Sequence, residues 1–204
     1  MAADFHTHDT QAAGKALIST ARPLPGKLAS LEVHPWSVGA DFPGLPKDFA
    51  ARLAEFAALG EVGCDPLRGD AARQLEVLPE LLAVASELDK PVVLHLVRPP
   101  EAVFALLERY PLRYLVHGFR GKAEKLARYL ERGYYVSLGS RALADPGVAE
   151  FLRTRGLERI GFETDADGGD ISGVLKLAAA TLGRNDLERV TDATFDEFLF
   201  GGKI

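Results

Sequence analysis

The run Asp4-Phe-His-Thr-His8 carries two histidines two residues apart. On an extended segment, side chains at that spacing point to the same side, so both imidazoles can reach one point just beyond a strand end. Imidazole is a common ligand for zinc and similar divalent ions. Groups of matching chemistry recur along the chain. His95 and His117 each stop a short hydrophobic run, and Glu61 and Asp165 stand at comparable places. If these six side chains meet, four imidazoles and two carboxylates exceed the needs of one tetrahedral ion. They suit two ions about 3.5–4 Å apart that share a carboxylate, lower the pKa of a bound water and stabilise attacking and leaving oxygens. Glu61, with two oxygens to share, is the bridging candidate. Asp165 can ligate one ion and accept a proton from the nucleophilic water, so Asp165 and Glu61 are the catalytic candidates.

Each candidate must be placed by the element that precedes it. Residues 3–5 read as a strand ending at His6, residues 28–33 as one stopping at His34-Pro35-Trp36, and residues 60–64 as a very short strand around Glu61. Residues 91–94 end at His95 and 113–116 at His117; residues 134–138 form a further strand, and 158–162 run into Glu163-Thr164-Asp165. Residues 14–21 are ambiguous, readable as a strand followed by a turn at Pro23, Pro25 and Gly26. Helical periodicity marks residues 47–58, 100–109 and 121–131, the last with Ala123, Leu126, Ala127 and Leu130 inward. Residues 70–88 form a long helix with a Leu75, Leu78, Leu82, Ala85 stripe, and Pro79 inside it predicts a kink or break. Asp145-Pro146 caps a helix that Gly156 closes, and helices follow at 171–182 and 187–200. Asn185 and Glu188 make a start of capping-box type for the last of these.

Strand and helix alternate, which predicts parallel strands with helical crossovers. An open doubly wound sheet would carry a glycine-rich phosphate loop after its first strand, where this chain has a metal-type motif. The candidate ligands are spread over five strands, and a closed β/α barrel brings all its strand ends around one mouth. The expected fold class is therefore α/β, a TIM-type β/α barrel, compact and with about seven strands, hence incomplete or irregular. The chain of 204 residues lies near the lower end of barrel sizes, about 200 residues.

Bulk composition sets the frame. An apolar fraction of 47% supports one sizeable core, and without an internal repeat, low-complexity tract or linker, residues 1–204 read as a single domain. A net charge of −5 and a pI near 5.6 argue against a passive polyanion binder; contact with nucleic acid would need a local basic patch. The single cysteine, Cys64, rules out an intrachain disulfide framework and reads as a small buried residue, in keeping with a reducing cytosol. No apolar run has the roughly 18 residues of a membrane span, nor does the N-terminus show a signal-type segment. The expectation is a cytoplasmic protein.

Six segments taken together resemble the TatD family of metal-dependent hydrolases, usually described as deoxyribonucleases, within the amidohydrolase-like metal barrels. They are Asp4-Phe-His-Thr-His8, His34-Pro35-Trp36, Gly60-Glu61-Val-Gly-Cys-Asp65, Pro91-Val-Val-Leu-His95, His117-Gly-Phe-Arg-Gly121 and Glu163-Thr-Asp165, in the family's order and over most of the chain. The resemblance implies that His6, His8, Glu61 and Asp165 hold one ion while Glu61, His95 and His117 hold the other. It also implies two divalent ions (zinc, manganese or magnesium) and a phosphate-ester substrate, DNA or a smaller nucleotide. Two departures stand out. The segment between His8 and Val33 is short, as if a strand-helix unit were lost or reduced. After Asp165, where the family carries a longer loop, this chain has the short acidic Ala166-Asp-Gly-Gly-Asp170.

Further residues have two readings each. Arg98 and Arg120 follow two of the ligand histidines by three residues and suit a substrate phosphate, or are solvated loop arginines. Trp36 can stack on a base, or simply pack its loop. His34 reads as a structural or supporting residue that can line the mouth. Asp65 and Arg68 match a family pattern near the mouth, or pair with each other. Glu163 reads as a barrel-wall group rather than a ligand, and Asp167 and Asp170 as loop or capping residues. The acidic loop motivates an alternative activity, that of an amidase, lactonase or deacylase. The shortened first half motivates another, a barrel without activity that acts as a binding module. The sequence leaves the oligomeric state open; a reduced barrel could expose an apolar edge and favour a dimer.

Overall fold

The ambiguous stretch decides the strand count. In the computed structural model, which describes residues 2–167 and 169–201, Ala16–Thr20 is a strand, so there are eight strands rather than seven. They are β1 (Asp4–Thr7), β2 (Ala16–Thr20), β3 (Leu28–Leu31), β4 (Ala58–Cys64), β5 (Val92–Leu96), β6 (Tyr114–Val116), β7 (Tyr135–Leu138) and β8 (Ile160–Phe162). All neighbours are parallel and follow one another in chain order. The ring closes just past β8, where Asp165 N donates to His6 O at 3.0 Å and Thr7 bridges Asp165 in parallel. Beside this seam, the buried Asp4 carboxylate accepts from Thr164 N (3.1 Å) and Thr164 Oγ1 (2.6 Å). Burial pushes Asp4 up to about 6 despite those bonds.

Helices accompany only part of the ring. The chain returns from β1 to β2 through residues 8–15 and from β2 to β3 through residues 21–27, without a helix in either. The expected loss in this region is thus of helices, while the strand remains. Lys27 Nζ ties the two returns together through Thr10 O (2.7 Å) and Ala12 O (3.2 Å). Past β3 the helices are α1 (Phe49–Ala54), α2 (Ala71–Glu87), α3 (Glu101–Leu107), α4 (Ala123–Glu131), α5 (Ser140–Leu143), α6 (Pro146–Arg155), α7 (Ile171–Leu182) and α8 (Leu187–Phe200).

Several local expectations change. α1 is shorter than the periodicity of 47–58 implies, because Ala58 and Leu59 pair with Ser30 and Leu31 of β3. α2 runs through Pro79 as one unbroken helix; it buries Gln74, Val77, Leu78, Leu81, Leu82 and Ala85, with Leu75 only partly covered. In α4 the inward face is Leu126, Tyr129 and Leu130, and the alanines are half-buried. α8 starts at Leu187 as expected, but its cap position is Asp186 rather than Asn185, and Arg184 holds the Asp186 carboxylate at 2.8 and 2.9 Å. Asp145 caps α6 as expected, accepting from Gly147 N and Val148 N.

Two apolar layers hold the ring. One lies between the outer face of the sheet and the helices, joining Leu59, Val62, Leu94, Val116 and Phe162 to Leu78, Leu82, Leu126 and Leu152. The other gathers Phe5, Leu17, Val93, Leu115 and Tyr135 against Phe195, Phe198 and Leu199 of α8. Phe5 meets Phe195 edge-on at 5.2 Å between ring centres, and Arg113 Nε donates to Phe198 O at 2.8 Å. α8 therefore plugs the end opposite the site. The exposed large apolar side chains among the described residues are Trp36, Leu67, Leu177 and Phe200. None lies on β1 to β3, so the stripped-down half does not present the apolar edge a reduced barrel would. No described helix is long and apolar enough to cross a membrane.

Phe5 fits because β8 carries Gly161 opposite it. A Cβ on Gly161 would sit 2.4 Å from the Phe5 ring, which is fully buried and has nowhere to move. We expect Gly161→Ala to destabilise the protein by about 1–3 kcal/mol, the usual range for overpacking. Urea unfolding of the two proteins measures it; equal midpoints would show that β1 and β8 are less tightly apposed.

Candidate metal centre

Glu61 lies within β4, almost completely buried, and imidazoles surround its carboxylate. Oε1 is 2.9 Å from His117 Nε2, 3.0 Å from His6 Nε2 and 3.6 Å from His8 Nε2. Oε2 is 3.0 Å from His34 Nε2 and 3.9 Å from His95 Nδ1. Asp165 Oδ1 stands 3.9 Å from His6 Nε2 and 3.8 Å from His8 Nε2, while His95 Nδ1 and His117 Nε2 are 3.2 Å apart. The structure thus brings all six candidate ligands into one pocket and adds His34, whose ring reaches Glu61 more closely than His95 does. His34, expected as a structural or supporting residue that can line the mouth, stands against Glu61 and lines the cleft: the turn Pro35–Ser37 after β3 swings it inward, with Trp36 N donating to its Nδ1 at 3.1 Å.

Local sequence explains the crowding. Gly60 and Gly63 flank Glu61 and let β4 press against β5. Built at Gly63, a Cβ would lie 2.3 Å from His95 O, and at Gly60, 2.5 Å from Val93 O. Both have positive φ, 147° and 134°, which side-chain-bearing residues avoid.

The donor set fits a cation. His6 Nδ1 and Nε2, Glu61 Oε2, His95 Nε2 and His117 Nδ1 are buried yet make no hydrogen bond. Buried polar atoms are normally paired, so His6 Nε2 and Glu61 Oε2, which face the same pocket without partners, point to a missing positive group. Two of the sets close enough to share an ion are His6, His8, Glu61, Asp165 and His34, Glu61, His95. Without an ion, protons fill the role. Burial would push the Glu61 carboxyl up, but the His117, His34 and His6 imidazoles hold it far below the carboxylate range. Burial likewise opposes charge on His117, and Glu61 with Glu163 and Asp165 outweighs it, raising His117 to about 9. His6 and His95 fall to about 4, through burial first and then the charge on His117. Glu61 raises His8.

Neighbouring groups support the pocket. Glu163 is buried in the wall, accepting from Gly118 N (2.6 Å) and Ser137 Oγ (2.5 Å); burial pushes it up to about 7. Asp65 does not pair with Arg68. It accepts from Trp36 Nε1 at 2.7 Å, and the Arg68 guanidinium stacks 4.1 Å over the Trp36 ring, which is 48% exposed. Gln74, absent from the sequence-based candidates, fastens this corner by donating to Pro35 O (2.9 Å) and Arg68 O (2.8 Å) and accepting from Asp65 N (2.9 Å). A polar residue on the buried stripe of α2 was the available signal. Arg98 and Arg120 line the open cleft over the pocket, together with Arg68 and Lys125. Cys64 is buried and free.

The profile of the family described as TatD related DNase matches residues 5–167. The chain belongs to that family. Among curated relatives, a Schizosaccharomyces pombe protein named deoxyribonuclease Tat-D is 31% identical over 59% of this chain and 44% of its own length. An Escherichia coli protein named uncharacterized metal-dependent hydrolase YjjV is 31% identical over 61% of this chain and 50% of its own. The chain thus spans about half the length of the curated relatives it matches. Solved structures share the fold across nearly the whole of both chains. A TatD family hydrolase from Entamoeba histolytica has a TM-score of 0.77 at 11% identity, with 97% of each chain covered. The E. coli YjjV structure has a TM-score of 0.73 at 21% identity, covering 98% of this chain and 97% of that one. The TatD family barrel is therefore present here, and in this chain its first two returns carry no helix.

Gln74 offers a test of the corner that carries His34 and Trp36. Gln74→Ala leaves Asp65 N and Arg68 O without partners and takes one of two donors from Pro35 O, an expected cost of about 1–3 kcal/mol. Trp36 is the only tryptophan, so its fluorescence reports the corner directly. Loss of stability with a red-shifted, more mobile Trp36 signal is expected; an unchanged spectrum would show the corner is held otherwise.

Proposed function

We propose that this TatD family chain is a single-domain, metal-dependent hydrolase of phosphate esters, with two divalent ions at the Glu61 pocket and DNA or a smaller nucleotide as substrate. The observation that carries this reading is the buried Glu61 carboxylate facing five imidazoles, with Glu61 Oε2 and His6 Nε2 left without a hydrogen-bond partner. The names of the relatives support it, as does the cleft above. In a chain of net charge −5, that cleft is lined by Arg68, Arg98, Arg120 and Lys125. A local excess of positive charge in an acidic protein attracts an anionic substrate.

His6, His8 and Asp165 would hold one ion and His95 and His117 the other, with Glu61 common to both. The ions would supply Lewis acidity and lower the pKa of the attacking water. Asp165, partly exposed at the mouth, accepts the proton of that water. Arg98 and Arg120 bind the non-bridging phosphate oxygens through their planar forks. Trp36, fixed by Asp65 and backed by Arg68, offers a face to a base. Imidazole-rich donors favour zinc or manganese over magnesium. The free, buried Cys64 supports a reducing compartment, the cytoplasm. An amide, lactone or acyl substrate is less well supported, since Arg141 Nη2 bonds Asp167 at 3.4 Å and offsets the acidic loop that motivated it. A binding module without activity would have no use for the full donor set.

Metal binding and phosphodiesterase turnover test the reading together. Zinc or manganese at a hundredfold Kd should raise stability by about 2.7 kcal/mol. That gain should shrink as pH falls, because protons compete with the ions for His117 and His8. Glu61→Ala should abolish the gain and cost at least ~100-fold in turnover, more than the loss of a supporting residue outside the ligand set. Turnover that survives Glu61→Ala would overturn the mechanism.

A further inference from the structure

We propose that a recess beside the pocket, between Arg120 and Arg141, is a second anion subsite that takes the phosphate next to the scissile one. Asp167 occupies this subsite when substrate is absent. The proposal rests on the phosphate-ester reading above and names the substrate feature that reading leaves open.

The recess lies between the chain segments that follow β6, β7 and β8, and Arg120, Ser140, Arg141, Asp165 and Asp167 line it. Arg120, Asp165 and Asp167 also line the main cleft, so the two spaces join at Asp165. A phosphodiester bound at the metal pocket therefore has its neighbouring phosphate directed along this floor. An arginine stands within about four residues of the C-terminal end of each of four successive strands: Arg68 after β4, Arg98 after β5, Arg120 after β6 and Arg141, within α5, after β7. The recess is the last station of that arc.

The carboxylates facing it differ in their commitments. Glu163 uses both oxygens on Ser137 and Gly118. Asp165 turns to His6 and His8. Asp167 alone among these lining carboxylates faces an arginine, and its contact is loose. Arg141 Nη2 lies 3.4 Å from Asp167 Oδ1, with the side chains 64% and 49% exposed. Charge-assisted bonds are typically about 2.7–2.9 Å, and exposed pairs hold little net energy. The Arg120 guanidinium has no ion-pair partner among the described residues. A phosphate, with more charge and more acceptor oxygens than a carboxylate, can displace Asp167 and take both forks. The acidic loop then acts as a selectivity device. It resists ligands with a single weak charge and yields to a substrate with a second phosphate.

The probes are bis(4-nitrophenyl) phosphate, an isolated diester, and 5′-phosphorylated dithymidylate, a diester with a second phosphate. With zinc- or manganese-loaded protein, Arg141→Ala should raise KM for the dinucleotide about tenfold more than for the isolated diester, as expected for losing one charged hydrogen bond. Asp167→Asn should lower KM for the dinucleotide severalfold. In parallel, calorimetry at low salt on metal-free protein should show the dinucleotide binding more weakly to Arg141→Ala and more tightly to Asp167→Asn. Matched thermal unfolding confirms that these surface variants fold. If wild type hydrolyses neither probe but the binding order holds, the phosphate-ester reading fails and the subsite stands. Equal binding by all three proteins, or no binding by wild type, overturns the subsite. So does a KM shift from Arg141→Ala that is the same for both probes.

Discussion

A carboxylate as buried as Glu61, at 2% exposure, is unstable as an anion unless positive charge stands beside it. Everything else in the barrel can be understood as the means of bringing that charge. The imidazoles come from the ends of β1, β3, β5 and β6 and converge on a side chain that starts in the middle of β4. Only a closed ring of parallel strands lets elements so far apart in sequence face one atom. The two glycines flanking Glu61 then set the last ångströms, since any side chain there would hold β4 and β5 apart. When the ion is absent, a proton on His117 compensates the anion; when it is present, that proton must leave. Site occupancy and protonation are thus two states of one electrostatic balance.

The seam makes the same pocket depend on closure of the ring. Asp165 is at once a candidate ligand and the residue whose amide bonds to His6 O. Thr164, one residue before it, reaches back to Asp4, two residues before His6. Loosening the seam would separate His6 from Asp165, so the stability of the fold and the geometry of the site share contacts. This also explains why helices can be dispensed with around β1 and β2. Those strands are held laterally by the seam and by β3, covered by two returns that Lys27 joins, and closed at the base by α8 through Phe195.

Much of this was legible in the residues. The histidines and Asp165 stand out because an apolar run stops at or near each of them, and they lie at or just past strand ends in the fold; Glu61 instead sits in the middle of β4. Local stop signals such as Asp145-Pro146 and Gly156 were equally clear, since a cap depends on neighbours a few residues away. Three features were hidden, each for want of a local signal. β2 is a short, wholly covered strand without alternation and without helices on either side, so periodicity could not separate it from a loop. His34 meets Glu61 only after the turn at Pro35–Ser37 redirects it, and no spacing in the chain encodes that encounter. Asp65 and Arg68 could be read as mouth residues or as a pair with each other; in space, Trp36 comes between their roles, bonding one and stacking on the other.

The distribution of charge follows from which half of the ring kept its helices. The bare half, β1 to β3, supplies His6, His8 and His34 and hardly any of the basic rim. The helical half supplies Glu61, His95 and His117, and the segments after β4 to β7 each place an arginine above the mouth. The side without helices contributes ligands at its strand ends, and the helical side contributes ligands and positive surface together. A net negative chain thus carries its cationic arc on the helical half.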